Sequence, residues 1–519
     1  MHTTWNIIRF SQFIFVPTLL NAQVAPTIDW NRALGGMNAD QHGTVIATSD
    51  GGALVASALQ INGPDFDWLV TKLDEDGNTQ WEHAFGGTNQ DWPYSAVEAM
   101  DGAFLVLGFT ESLNGDVTGN HGGQDMWLMK MDANGNVIWT RCYGGPGSDR
   151  GQMIIRDDAD GFWLLGSSGS IGGQVTSNHG SSDVWLIRIN NSGDLIWQQS
   201  YGGSGFDRGI DLVRTVDAGL LVASVTNSND GDVSVIFGGF DIWILKLSAT
   251  GSIDWQQTFG GSDSDTPQNV LITADNGCII TAQTLSTDGH VSQSFGSFDY
   301  WLLRLDNSGN LLWERSYGGS QGDSLPFTKM TSTSDLLVAG TSGSSDGDVS
   351  SNAGAGDIWV VKLAGNGDIL WERSYGGSAQ DFGGKCDIAV DGGLLFTSTS
   401  LSTDGDITAP VTSMGSFVWV VKLLPDLSPV PEHALGPNLQ LYPNPTADEL
   451  VIAPQLARTD QALIELVDAQ GRLVRTLHDG LLAVDAAPIR IALGGLAPGS
   501  YGVRITAHDQ RFTRYVVKV

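Results

Sequence analysis

The pattern Trp-x-x-x-x-Gly-Gly-x-x-x-Asp occurs seven times in this chain, starting at Trp30, Trp81, Trp139, Trp197, Trp255, Trp313 and Trp371. From Trp81 onward the step between copies is 58 residues. Every copy keeps both glycines and closes on an aspartate: Asp40, Asp91, Asp149, Asp207, Asp265, Asp323 and Asp381. A fixed period of this size means one supersecondary unit used repeatedly, each copy covering the open face of the next.

Within the unit between Trp197 and Trp255, four short runs read as strands. Residues 194–200 (DLIWQQS) form strand d, 210–215 strand a, 220–226 strand b and 241–247 (DIWILKL) strand c. Each run is rich in β-formers and bounded by Gly, Asn or Asp, and helical spacing is absent. The turns between c and d carry glycine at a fixed place, as in Asp132-Ala133-Asn134-Gly135-Asn136, which suits a tight hairpin. Four consecutive antiparallel strands make a meander, the unit of a propeller blade. Strand c is apolar on both faces (Trp127, Leu128, Met129), as expected where blade packs on blade.

The two ends of the repeat array are complementary. Residues 27–34 supply a d strand with no a, b or c before it, and the array ends at strand c, residues 417–423, with no d after it. One blade is therefore expected to be built from both ends of the array, removing two free sheet edges. The fold class expected is all-β: a closed seven-bladed β-propeller over 23–424, then a Pro-rich linker over 425–437 and a small β-sandwich over 438–519. The first unit departs from the rest by carrying Leu69 in the strand-c tryptophan column, and the last by carrying Phe417 in place of the Asp that opens strand c.

Composition fits this picture. Gly and Pro together are about 16% of the chain, and 17 Trp are too many for a disordered polymer. The net charge of −32 opposes binding to phosphate backbones, so no nucleic-acid partner is expected. Each strand c ends on a cation: Lys72, Lys130, Arg188, Lys246, Arg304, Lys362 and Lys422. Carboxylates such as Asp125 or Asp183 are candidate partners for them, reached between strands or blades. The three cysteines, Cys142, Cys278 and Cys386, occupy different repeat positions and are expected to be buried free thiols. Residues 1–22 read as a secretory signal with an apolar run too short to span a bilayer, and no transmembrane segment is expected.

Blade geometry puts the d–a loops, with their seven aspartates, on the same face as the long b–c loops. That face is the expected binding face, although loop capping explains the same aspartates. Oxygen-rich turns at Asp230/Asp232, Asp346/Asp348 and Asp404/Asp406 are the candidate calcium ligands, and Asx turns are the simpler account of them. No other cofactor is expected. The nine histidines do not recur with the repeat, and no nucleophile elbow, zincin or P-loop motif is present.

Two resemblances extend this reading. The segment from Trp127 to Trp139, strand c through turn to strand d, resembles the tryptophan-docking repeat of quinoprotein-type propellers, which implies blades packed through tryptophan; that family's adjacent cysteine pair is absent. Tyr442-Pro443-Asn444-Pro445, the Gly471-Arg472 turn, the Gly499-Ser500-Tyr501 strand and the terminal Lys518 resemble the type A C-terminal sorting domain of type IX secretion, found in Bacteroidota. That resemblance implies a β-sandwich partnered by the type IX machinery. It also implies removal of the tail, with attachment to surface lipopolysaccharide or release. The expected function is a secreted or surface-attached scaffold that binds glycan, protein or matrix. The alternatives are a polysaccharide hydrolase or lyase using loop-face carboxylates, and a purely structural surface component.

Overall fold

The computed structural model describes residues 25–35, 40–60, 65–157, 161–409 and 415–426, and in the C-terminal region 439–442, 449–454, 460–467, 472–482, 489–497, 499–507 and 510–518. The expected signal segment lies outside the described residues. Seven four-stranded antiparallel sheets make up the first body. Blade 4 shows the pattern: strand a Asp207–Arg214, b Leu220–Thr226, c Asp241–Leu247 and d Ile253–Phe259. Each a strand contacts the a strands of both neighbouring blades, and the first (Gln41–Ala47) contacts the last (Asp381–Ile388), so the ring closes at seven.

The closing blade is ordered Ile28–Leu34, Phe417–Leu423, Leu394–Ser400, Asp381–Ile388. The N-terminal strand therefore serves as strand d of the last blade, pairing Trp30 with Lys422 and Leu34 with Val418. Asn31 adds a side-chain tie, its amide donating to Thr408 Oγ1 at 2.8 Å and its carbonyl accepting from the Ala409 N–H at 3.1 Å.

Burial is organised between blades. Trp243 packs with Leu165, Leu186, Leu212 and Val222, from blades 3 and 4. Trp127, Trp185, Trp301, Trp359 and Trp419 occupy the equivalent place at their own seams. Each of these indoles reaches the neighbouring d strand: Trp185 and Trp243 donate to Gln198 and Gln256 at 2.8 Å, Trp359 to Glu372 at 2.8 Å. The tryptophan of strand d works at the outer rim. Trp30 donates to the Glu75 carbonyl at 3.0 Å and lies against Gly77 of the next blade. Gly77 has φ of 77°, and a Cβ there would stand 2.6 Å from the indole; only glycine satisfies both turn and docking.

The strand-c cations find partners in the a–b turn of their own blade, not in the strand-opening aspartates. Lys130 pairs with Asp101 at 2.8 Å, Lys246 with Asp217 at 2.9 Å and Lys422 with Asp391 at 2.7 Å. Asp125 opens the strand that Lys130 closes, and five residues of extended chain separate them by about 16 Å. Burial of the lysines with a carboxylate at hand makes these pairs structural anchors. Cys142, Cys278 and Cys386 are buried free thiols, and burial pushes Cys278 and Cys386 up to about 12.

The C-terminal body has a three-stranded sheet (Leu439–Tyr442, Glu449–Pro454, Ile489–Ala492) and a four-stranded sheet ordered Leu473–Leu482, Asp460–Val467, Gly499–Ala507, Gln510–Lys518. Leu450 and Ile452 of the first sheet share one core with Ile464, Leu466, Val503 and Val516 of the second, which makes a β-sandwich. Among the described residues no helix is long and apolar enough to cross a membrane.

Candidate functional site

The loop face is built by hydrogen bonds from the repeated aspartates. Asp207 is fully enclosed, and its Oδ2 accepts from the Gly203 N–H and the Ser228 hydroxyl, both at 2.8 Å. Asp91, Asp149, Asp265, Asp323 and Asp381 make the same two bonds, to Gly87 and Ser112, Gly145 and Ser170, Gly261 and Ser286, Gly319 and Ser344, Gly377 and Ser402. Asp40, also enclosed, accepts from the Gln60 N–H at 2.9 Å. These seven side chains staple the d–a loop to the end of strand b.

The b–c loops lie over the same turns. Asp230, Asp346 and Asp404 accept from the backbone N–H of Ser204, Ser320 and Ser378 at 2.6–2.7 Å, which holds each carboxyl below its usual range. Asp232, Asp348 and Asp406 accept from Gly202, Gly318 and Gly376 at 3.1–3.3 Å. In blade 3 Gln174 Oε1 takes that N–H, and in blade 5 His290 Nδ1 does. A column in which Asp, Gln and His do the same task is selected for accepting a hydrogen bond. Among the described residues no three His, Cys, Asp or Glu side chains converge as a metal site. Millimolar Ca²⁺ is expected to raise the Tm of the intact protein by a few degrees at most. A rise above roughly 10 °C would assign these loops to the ion, since tight binding stabilises by mass action.

A second carboxylate closes six of the seven d–a turns from the other side; the exception is the turn at Gly35, where Phe417 opens strand c. Asp241, opening strand c, and Asp265, opening the next strand a, flank Gly260; a Cβ there would meet Asp241 Oδ1 at 2.0 Å and Asp265 Oδ2 at 2.8 Å. Asp125, Asp183, Asp241, Asp299 and Asp357 each leave a buried Oδ1 without a hydrogen bond. Burial, joined by the facing carboxylate, pushes Asp67, Asp299 and Asp357 up to about 6. Gly260→Ala is expected to cost about 2 kcal/mol or more by forcing these carboxylates apart, measured by urea melts against wild type.

Everything described so far repeats around the ring; the lining of the central channel does not. The residue after each staple aspartate stands at the loop-face end of strand a, the strand that contacts its counterparts in the neighbouring blades around the ring. That column reads Gln41, Trp92, Arg150, Arg208, Thr266, Ser324 and Phe382. Tyr94 stands beside Arg150 and Arg208, whose charges lower its hydroxyl against the stronger upward push of burial. The Arg150 guanidinium lies 4.9 Å from the Phe109 ring centroid and its Nε donates to Gln124. Arg208 Nε is buried without a partner, and Arg208 makes no ion pair among the described residues. Deeper, Lys385 reaches from blade 7 to donate to the Tyr94 carbonyl in blade 2 at 2.7 Å, and burial lowers its ammonium to about 8. Asp211 accepts from the Val270 N–H at 2.9 Å and is pushed up to about 6 by burial; Lys329 pairs with Asp387 at 3.0 Å.

None of these lining residues was singled out from the sequence. The signal was present as the columns that vary within an otherwise regular repeat: the mouth column above, and the one holding Asp211, Asn269, Phe327 and Lys385. Of the sorting residues, Tyr442, Arg472, Gly499 and Tyr501 are described, with the Tyr501 hydroxyl donating to the Ala497 carbonyl at 2.9 Å. Pro443, Asn444, Pro445 and Gly471 lie outside the described residues.

Residues 440–519 match the secretion system C-terminal sorting domain. The chain is also similar to the regulatory protein FlaEY of Caulobacter vibrioides, 22% identical over 412 residues, and spans 40% of that protein's length. Similar solved structures include a protein of unknown function from Dyadobacter fermentans (10% identity, TM-score 0.41, 77% of this chain and 99% of that one). Another is the WD40 domain of Neurospora crassa Pan2 (9%, 0.41, 74% and 89%). A third is the β-propeller domain of the trilobed protease from Pyrococcus furiosus (8%, 0.38, 70% and 92%). Ring and tail together define an exported β-propeller. The tail engages the type IX secretion machinery and delivers the protein to the cell surface or the surrounding medium.

Proposed function

We propose that this propeller is a binding module acting outside the cell, with the loop-face mouth of the channel as its binding surface. The observation that carries this reading is the break in sevenfold regularity at the mouth. Staples, seam tryptophans and cation anchors recur from blade to blade, whereas the mouth column mixes Trp92, Arg150, Arg208 and Phe382. A repeated frame fixes geometry, and residues free to differ at one end of it supply recognition. Enclosure of the staple aspartates favours binding over hydrolysis, because a sugar chain cannot reach them. The test is a panel of glycans and matrix proteins presented to the intact protein. Retention of a ligand, lost in Trp92→Ala, is the expected result; an empty panel, or equal retention by that variant, would overturn the reading.

A further inference from the structure

We propose that Arg150, Arg208 and Tyr94 form a site at the channel mouth for the acid group, carboxylate or sulfate, of a single sugar residue. The inference rests on the binding-module reading above and names its ligand class.

The first support is charge with no ion-pair partner among the described residues. The chain carries −32 overall, yet two guanidiniums stand side by side on neighbouring blades, and neither has an ion-pair partner among the described residues. Burial and the adjacent Arg150 both weaken the hold of Arg208 on its charge. Like charges placed together and partly removed from water are costly unless an anion joins them. Arginine presents a planar fork matched to carboxylate or sulfate oxygens, and the Tyr94 hydroxyl adds a neutral donor.

The second support is shape and surroundings. Arg150 is held over Phe109 and tied to Gln124, so its head group is ordered before any ligand arrives. Trp92 and Phe382 share the same column, with Phe382 36% exposed, and offer apolar faces of the kind sugar rings pack against. The third support concerns size. A long polyanion would meet the field of the whole acidic exterior, whereas one acid group on an otherwise neutral molecule meets mainly the local cations. The site therefore selects a singly charged residue, such as the acidic end of a glycan.

The experiment is calorimetric titration of the intact protein at low salt with galacturonate, galactose and acetate, repeated on Arg208→Gln, Arg150→Gln and Arg208→Lys. Galacturonate is expected to bind, with galactose and acetate each at least about tenfold weaker, one decade being a single good polar contact. Arg208→Gln should weaken galacturonate by about tenfold or more, and Arg208→Lys, which keeps charge but loses the fork, by less. Arg208→Gln should melt no lower than wild type, since it relieves a partly buried cation whose Nε has no hydrogen-bond partner. Equal binding of galactose or of acetate, or an unchanged affinity in Arg208→Gln, would overturn the proposal. If galacturonate fails while the panel above yields a ligand, the anion site falls and the binding module stands; if both fail, so do both readings.

Discussion

Removal of residues 25–34 is expected to abolish the cooperative melt of the ring, or to lower its Tm by roughly 15 °C or more. These residues contribute the whole d strand of the last blade, so their loss opens a full edge on Phe417–Leu423. They also leave the seam between blades 7 and 1, which has no strand-c tryptophan, without its largest side chain. Between blades 7 and 1 the core is Val45, Ala53, Val55, Leu73, Ala389, Leu395, Val418 and Val420, completed by Trp30 and Leu34. Blade 1 carries Leu69 where the other blades place a tryptophan, and its Trp68 faces the opposite seam, packed 4.1 Å from Trp127. Trp30 alone accounts for about 3–5 kcal/mol by the usual cost of truncating a buried aromatic. Trp30→Ala is the milder control and should lower stability by that amount. A truncated protein whose urea melt superimposes on that of the parent would show that the ring does not depend on this strand.

The second expectation is a ring more stable in mild acid than at neutral pH. Asp67, Asp211, Asp299 and Asp357 are raised to about 6 in the fold, first by burial. The unfolded chain releases these protons near pH 4, so between about pH 4 and 6 the native state binds more protons than the unfolded one. Stability then falls as pH rises from about 4 through 6 and is regained as pH drops back toward 4. Protonation also supplies the donor that a carboxylate facing another carboxylate otherwise lacks. Asp217 and Asp275, lowered to about 2 by hydrogen bonds that include those from Lys246 and Arg304, act in the opposite sense and are lost below pH 4. The maximum should lie near pH 4, with Tm about 5 °C higher than at pH 7.5. Calorimetry across pH 3–8 checks this. A Tm that rises steadily from pH 5 to 8 would mean that the carboxylate pairs do not govern stability.

Much of the frame was legible because it repeats. In blade 4 strands b and c have the bounds read from the sequence, and the d strand read at 194–200 moves by one residue, to Leu195–Tyr201, and belongs to blade 3. Strand a starts earlier, at Asp207 instead of residue 210, because Gly209 belongs to a bulge within the ladder and does not break it. The N-terminal strand was legible from the mismatch between the two ends of the array. The partners of the strand-c cations were not: Asp125 looked as suitable as Asp101 until the strand direction put it at the far end. Nor were Arg150, Arg208 and Lys385, since periodicity draws attention to what recurs, and these residues occur once.

The sequence by itself determined the blade, the number of blades, the strand that closes them and the export tail, since each is written as a period or a contiguous motif. Only the tertiary structure decided which side chains share a space across blades. Tyr94, Arg150, Arg208 and Lys385 are spread over nearly 300 positions, and it is ring closure that gathers them around one axis. Contacts made through closure carry no local sequence signature, because the chain between them is free to be any length that completes the circle.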